Sequence, residues 1–285
     1  MWQIFLLLPA MLYSIGWSKT ADVRIGIYTP STAEVSPQEI RIGVDMWMRH
    51  LAESVQLDTT THYYKKAVKL AEDFKKGKIN MLVADPLTYV QYFDLRTLRP
   101  GVIGYIESRK KDGTLLFLVR REDRKRPFGY FLSRTISIPK NDRLTPIYLK
   151  TVAWKKSLKK LRLDRTKNSQ MAILHLFFKR SDMAAVSLSE YETAAELNPQ
   201  IKSELKPLRT LFMHTGALVF IGTNMPEDIY NKIIKAAFDL PKTPKGRELM
   251  MILHAKEIDQ CDIDQLVPAK NYYKLYKTLR RKGHS

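Results

Sequence analysis

Apolar and polar positions along the chain follow two alternating patterns. Short, nearly continuous apolar runs predict buried strands, and apolar residues spaced three or four apart predict helices. The predicted strands cover residues 23–28, 79–84, 102–107, 115–121, 135–138, 183–187 and 212–221. The predicted helices cover 37–55, 63–76, a segment from 87, 145–161, 168–179, a segment from 189 and most of the chain after 226. This succession of strands and helices predicts an α/β protein.

The first residues carry a different signal. Residues 4–15 are almost wholly apolar, and Gly16, Trp17 and Ser18 follow before the first lysine. The apolar run is shorter than the roughly 20 residues of a membrane-spanning helix and contains Pro9. We therefore expect residues 1–18 to be a signal peptide, although no Lys or Arg precedes the run. An uncleaved anchor and a buried first strand stay open as alternatives.

Composition and charge narrow the class of protein. The 285 residues suggest about two domains, and 45% apolar residues exclude a disordered chain. The 48 Lys and Arg residues against 29 Asp and Glu residues give a net charge of +19, which attracts anions of many kinds. Cys261 is the only cysteine, so one chain cannot form an internal disulfide or a CxxC zinc site.

Sequence signals for catalysis and for nucleic-acid binding are missing. The sequence contains no GxSxG, P-loop, HExxH or paired glycine-rich dinucleotide motif, and its six histidines lack metal-ligand spacing. We therefore expect no enzyme activity, no catalytic residue, no cofactor and no metal site. The basic runs 120–126 and 155–167 lack any nucleic-acid-binding signature, and leucines in the second run predict a helix with one buried face. No nucleic-acid partner is expected.

Four segments, in order, carry a resemblance to a known family. They are 24–28 (RIGIY), 77–86 (GKINMLVADP) followed by Tyr89, 182–186 (DMAAV) and 243–247 (TPKGR). Their order resembles the phosphate-, phosphite- and phosphonate-binding periplasmic proteins that serve ABC transporters, over residues 22–277. The resemblance implies an α/β, two-lobed type 2 periplasmic-binding-protein-like fold with two crossover strands.

The resemblance also implies an organisation and a function. Lobe I would comprise residues 19–120 and 215–285, lobe II residues 121–214, with the crossings near 115–122 and 207–220. The expected protein is periplasmic and monomeric, and its lobes close on a small, anionic, phosphate- or phosphonate-like ligand. An ABC permease would bind the closed form of the protein. The alternatives are a sensory protein for a membrane kinase or chemoreceptor, and a basic surface interaction protein without a small-molecule ligand.

The expected ligand-binding residues lie at strand ends and helix starts, where α/β crevices form. They are Tyr28, Tyr64, Asp85, Tyr89, Arg143, Thr145, Asn168, Ser169 and Tyr191. The family's anion site resembles a Ser-Thr-Ser-Gly turn at a helix start, whose hydroxyls and amides hold phosphonate oxygens. This chain has Arg143-Leu144-Thr145-Pro146 there, so Pro146 removes one amide donor and the Arg143 guanidinium offers a fork instead.

Each of these residues also has a purely structural interpretation. Thr145 before Pro146 fits an ordinary helix cap, and so do Asp85 and Asn168 at their own helix starts. The tyrosines fit the packing of a helix on a sheet as well as they fit a cleft.

Overall fold

A computed structural model describes residues 22–29, 45–50, 53–105, 107–158, 160–252 and 255–282. The expected signal peptide, residues 1–18, lies outside these ranges. The strands are β1 (Val23–Tyr28), β2 (Thr59–Tyr64), β3 (Met81–Ala84), β4 (Leu98–Tyr105), β5 (Thr114–Arg120), β6 (Thr135–Pro139), β7 (Arg162–Thr166), β8 (Met183–Ser187), β9 (Leu205–Phe212), β10 (Leu218–Gly222) and β11 (Glu257–Cys261). Residues 45–50 and 53–55 are helical.

The remaining helices are labelled in chain order. They are α1 (Ala67–Lys75), α2 (Pro86–Tyr92), α3 (Arg109–Asp112), α4 (Phe128–Phe131), α5 (Thr145–Lys155), α6 (Ser169–Phe177), α7 (Leu188–Leu197), α8 (Pro199–Glu204), α9 (Glu227–Asp239), α10 (Pro244–Ile252) and α11 (Val267–Arg281). No helix within the described ranges is both long and apolar enough to cross a membrane.

The strands form two sheets. The first has the order β11-β4-β10-β3-β1-β2, with β1 parallel to β2 and β3, and β10 antiparallel to β3 and β4. The second has the order β7-β6-β8-β5-β9, with β6 parallel to β7 and β8. Helices cover β5 on both faces, so its alternate residues enter two separate cores: Leu115 and Phe117 on one side, Leu116 and Leu118 on the other.

The chain passes between the sheets twice. It leaves the first sheet after Tyr105, enters the second at Thr114, and returns between Phe212 and Leu218. Residues 114–120, which the expected boundary assigned to lobe I, are hydrogen-bonded within the second sheet. The single strand predicted over 212–221 is wrong, because 213–217 interrupts it and β9 and β10 belong to different sheets.

Four observed strands were not predicted: β2, β7, β11 and, apart from Phe212, β9. Residues 63–64 end β2 and do not begin a helix, because 59–64 lies extended beside β1, and the helix starts at Ala67. The helix predicted over 145–161 ends at Lys155, and part of the following basic run forms edge strand β7. The C-terminal region, predicted as helices, also contains β11, which pairs with β4 and holds the buried Cys261.

The C-terminal helix α11 belongs to neither sheet alone. It packs against α5, where Tyr276 stacks on Trp154 at 5.2 Å and Tyr272 meets Tyr148 edge-on at 4.9 Å between ring centroids. It also contacts α2, which follows β3 in the first sheet. The expected lobe I segment 215–285 therefore ends in a helix that packs on elements of both sheets.

Candidate ligand-binding site

A cleft of about 250 Å³ is lined by residues from both sheets and both connections. The first sheet contributes the end of β4, and the second contributes the carboxyl ends of β6 and β8 with the helix starts that follow. The lining residues are Ile103, Gly104, Tyr105, Asp112, Leu115, Pro139, Asn141, Asp142, Ser169, Ala185, Val186, Ser187, Ser189, Glu190, His214, Thr215, Gly216 and Ala217. This is the place where α/β proteins bind small ligands.

Each helix start beside this cleft is capped by the chain itself. Asn168 Oδ1 accepts a hydrogen bond from the Met171 amide at 2.9 Å. Ser187 and Glu190 form a reciprocal capping box at the start of α7. Because their first amides already have acceptors, these helix ends offer an anion fewer donors than uncapped ends would.

The turn before α5 is capped by a carboxylate. Asp142 is 5% exposed, and its Oδ1 accepts hydrogen bonds from the amides of Leu144 at 3.0 Å and Thr145 at 2.9 Å. Burial raises the pKa of Asp142, against the opposing effect of its hydrogen-bond donors and of Arg165. The Arg165 guanidinium donates to the backbone oxygens of Lys140 and Asp142 at 2.5 and 3.0 Å.

Arg143 connects the second sheet to the first. Its Nη1 donates to Asp85 Oδ2 at 2.9 Å and to Thr88 Oγ1 at 2.8 Å, and its guanidinium lies 5.6 Å from the centre of the Tyr28 ring. Asp85 in turn caps α2 by accepting from the Thr88 amide at 3.0 Å. The structure therefore brings Tyr28, Asp85 and Arg143 together in an ion-paired junction, outside the lining of the cleft.

Three other expected residues lie at helix starts. Ser169 lines the cleft and is 4% exposed, and its hydroxyl makes no hydrogen bond within the described chain. Thr145 is fully buried at the start of α5, and its amide donates to Asp142. Asn168 precedes α6 as its cap. Of the nine expected ligand-binding residues, only Ser169 lines the described cleft.

Three expected tyrosines lie elsewhere, and we take them out of the candidate site. Tyr89 is fully buried, with its hydroxyl 2.9 Å from the backbone oxygens of both Leu82 and Leu218. Tyr191 packs in a core of the second sheet and donates to the Leu205 oxygen. The Tyr64 hydroxyl donates to Asp73, and burial together with this contact raises its pKa to about 12. All three are held by packing and local hydrogen bonds.

Most of the polar residues that line the cleft were not among the expected ligand-binding residues. They are Asp112, Asn141, Asp142, Ser187, Ser189, Glu190, His214 and Thr215. One sequence signal was available, because Ser187 and Glu190 have the spacing of a capping box directly after a predicted strand. Burial, and after it the nearby Arg109 guanidinium, lowers the pKa of His214 to about 4, so its imidazole is neutral at pH 7.

Comparison with known protein families identifies the family of this chain. Residues 31–266 match the family of periplasmic substrate-binding proteins of phosphonate ABC transporters. The chain belongs to this family. A search of curated proteins found no match.

Solved structures of similar proteins show the fold of this family member. PhnD1 from Prochlorococcus marinus in complex with methylphosphonate is 14% identical, with a TM-score of 0.58 over 90% of this chain and 98% of that one. A binding component of a phosphonate ABC transporter from Pseudomonas aeruginosa is 12% identical, with a TM-score of 0.59 over 90% and 87%. A Xanthomonas citri protein bound to ATP is 10% identical, with a TM-score of 0.63 over 91% and 98%. These likenesses confirm the expected two-lobed α/β fold class.

Proposed function

We propose that this protein is an exported solute-binding protein whose two lobes close on a small polar ligand and then engage an ABC permease. Membership of a periplasmic substrate-binding family supports solute binding. We infer that it acts as a monomer without catalysis. We place the lobe boundaries within the two connections, near 107–113 and 213–217, because the chain changes sheet there.

The observation that carries this proposal is the composition of the cleft wall. Residues of the first sheet, of the second sheet and of both connections line one cavity. A ligand that contacts both lobes favours the closed state by its difference in affinity for the two states. Movement at the two connections can therefore convert binding into a change of shape.

Closure is testable by small-angle X-ray scattering combined with thermal unfolding. We expect a solute of the correct chemistry to reduce the radius of gyration and to raise the melting temperature in a saturable manner. A protein that no soluble small molecule compacts or stabilises would contradict the proposal. Equal stabilisation by polyanions of any shape would instead favour the basic interaction protein.

The ligand expected from the family is a phosphonate. The family description names phosphonate, and the Prochlorococcus marinus relative was solved with methylphosphonate. Methylphosphonate, phosphite and phosphate are therefore the first probes to use. The charges around the cleft favour a cationic ligand instead, because its described lining residues include three carboxylates and no lysine or arginine.

Export and the downstream partner need separate tests. Residues 1–18 should be cleaved in a bacterial host, and the mature protein should be recovered from the periplasm. A cytoplasmic, full-length product would contradict export. Genes for an ABC permease beside this gene would support import, whereas a gene for a membrane kinase or chemoreceptor would support the sensory alternative.

A further inference from the structure

The turn before α5 already holds a negative group of its own. Asp142 Oδ1 lies 3.0 Å from the Leu144 amide and 2.9 Å from the Thr145 amide, so both donors point at a carboxylate of the same chain. Free amides at a helix start bind anionic ligands because the helix dipole and the unsatisfied N–H groups act together. Here, the Asp142 carboxylate takes the place that an anionic ligand oxygen would occupy at these two amides.

The charges of the remaining wall have the same sign. Asp112, Asp142 and Glu190 line the cleft, and no lysine or arginine joins them among the described lining residues. Glu190 uses Oε2 in the capping box, while its Oε1 makes no hydrogen bond in the described chain. The neutral imidazole of His214 adds no positive charge at pH 7. A phosphonate in this cleft would meet carboxylates without a compensating cation.

Some basic residues are close in sequence to residues that line the cleft, but their side chains form ion pairs with other carboxylates. Arg143, next to Asp142, is paired with Asp85. Arg109 is paired with Asp262 and Asp264 at 2.9 and 2.8 Å. Lys111, next to Asp112, lies 2.7 Å from Glu192. Recruiting any of these cations to an anionic ligand would require breaking an existing ion pair.

The wall also contains acceptors that lack partners. Ser169 is 4% exposed, and its hydroxyl makes no hydrogen bond in the described part of the chain. Asn141 Oδ1 is buried in the same wall without a hydrogen-bond partner. Buried polar atoms are normally satisfied, so the unpartnered Asn141 Oδ1 indicates a hydrogen-bond donor on the ligand, and the Ser169 hydroxyl lines the same cleft. The described side chains contain no group of three or more carboxylates, imidazoles or thiols arranged to hold a metal ion.

We propose that this cleft selects small organic cations that carry a protonated amine and excludes phosphate and phosphonate anions. An ammonium group supplies three N–H donors, which suit the Glu190 carboxylate, the Ser169 hydroxyl and Asn141 Oδ1. Asp142 then has two roles: it caps α5, and it gives the wall the charge that repels anions. This inference rests on the proposed solute-binding function and specifies the ligand class for that site.

The test uses calorimetry and scattering on the mature protein with matched probes. Putrescine and ethanolamine represent amines, and methylphosphonate and phosphate represent anions. We expect saturable binding and compaction with an amine and neither with the anions.

Two variants test the residues of the wall. Glu190→Gln retains a residue suited to the capping box, and Asp142→Asn retains the cap acceptor, so both variants should fold. Each should weaken amine binding about tenfold. Glu190→Gln removes a charge-assisted hydrogen bond to the amine, and Asp142→Asn removes a negative charge from the cleft wall.

Glu196→Gln is the control, because Glu196 is exposed on the same helix as Glu190 and lies outside the cleft lining. It should leave amine affinity unchanged. Compaction by methylphosphonate or phosphate, with no response to amines, would overturn the inference and leave solute binding intact. Failure of all probes would overturn the inference too, and a screen with the small-molecule fraction of a bacterial extract would then decide whether the protein binds any solute.

Discussion

The wall of the cleft and the outer face formed by α5 and α11 carry opposite charges. The cleft is lined by three carboxylates and, among its described residues, by no lysine or arginine. The sequences of α5 and α11 contain no aspartate or glutamate. Their exposed basic residues, with Lys156 directly after α5, are Lys150, Lys155, Lys156, Lys270, Lys274, Lys277, Arg280 and Arg281. This second region is called the basic face below.

The contrast shows that net charge and site charge are separate properties. The +19 of the chain favoured an anionic ligand in the sequence analysis, yet much of that charge lies on exposed helix surfaces such as the basic face. Charge far from a site is screened within about 10 Å at 0.1 M salt, whereas groups that line a cleft act at short range. The ligand should therefore depend on the cleft wall rather than on the whole chain.

The largest effect should come from reversing a charge in the cleft. Glu190→Lys places an ammonium group where we propose that the ligand amine binds, so amine affinity should fall about 100-fold or more through lost attraction and added repulsion. Isothermal calorimetry with putrescine measures this loss. Circular dichroism must show an unchanged helix content, since a lysine at this position cannot complete the capping box. An affinity within threefold of the wild type would show that Glu190 does not contact the ligand.

A gain of anion binding should follow when Asp142 is shortened. Asp142→Ser removes the carboxylate from the amides of Leu144 and Thr145 and leaves a hydroxyl in its place. We expect phosphate affinity to rise about tenfold, because two donors become available and one repelling charge disappears. Asp142→Asn serves as the comparison, because it removes the charge and keeps the cap. Weak phosphate binding in the serine variant would show that Asp142 does not control access to this turn.

The sequence predicted the backbone better than the site. Continuous apolar runs such as β3 and β8 were found because strands covered on both faces bury nearly every residue. Strand β2, with the sequence TTTHYY, and edge strand β7 contain few apolar residues. The pattern of apolar positions therefore did not predict them. Pairing with a neighbouring strand, which no local pattern records, gives them their structure.

The candidate site was harder to predict for a related reason. Tyr28, Asp85 and Arg143 do meet, as the positions of strand ends suggested, but they satisfy one another in an ion pair. Asp142 and Arg143 are adjacent in sequence, yet one lines the cleft and the other bridges the sheets. Which side a turn residue faces depends on the backbone conformation of that turn, and composition does not encode it.

A smaller effect is expected at the junction between the sheets. Arg143→Met removes the guanidinium that joins Asp85 and Thr88 across the sheets while keeping much of the aliphatic packing. Because both side chains of the ion pair are mostly buried, we expect a loss of about 1–2 kcal/mol in the free energy of unfolding. The unliganded protein should also have a larger radius of gyration.

Urea unfolding and scattering on the same sample measure these two changes. Arg126→Met is the control, because Arg126 pairs with Asp123 within one loop and joins no two sheets. It should leave the radius of gyration unchanged. Identical scattering of Arg143→Met and the wild type would show that the ion pair does not restrain the lobes.

The smallest effect on ligand affinity should come from the basic face. Reversing three exposed charges there, with Lys274→Glu, Lys277→Glu and Arg281→Glu combined, should change putrescine affinity less than twofold in 0.15 M salt, because screening confines their influence to nearby surfaces. Calorimetry at 0.02 and 0.15 M salt, with Glu190→Gln measured in parallel, checks this. If the triple variant strengthened putrescine binding at 0.15 M salt as much as Glu190→Gln weakens it, the field of the whole chain would govern the cleft, and the separation of the two regions would fail.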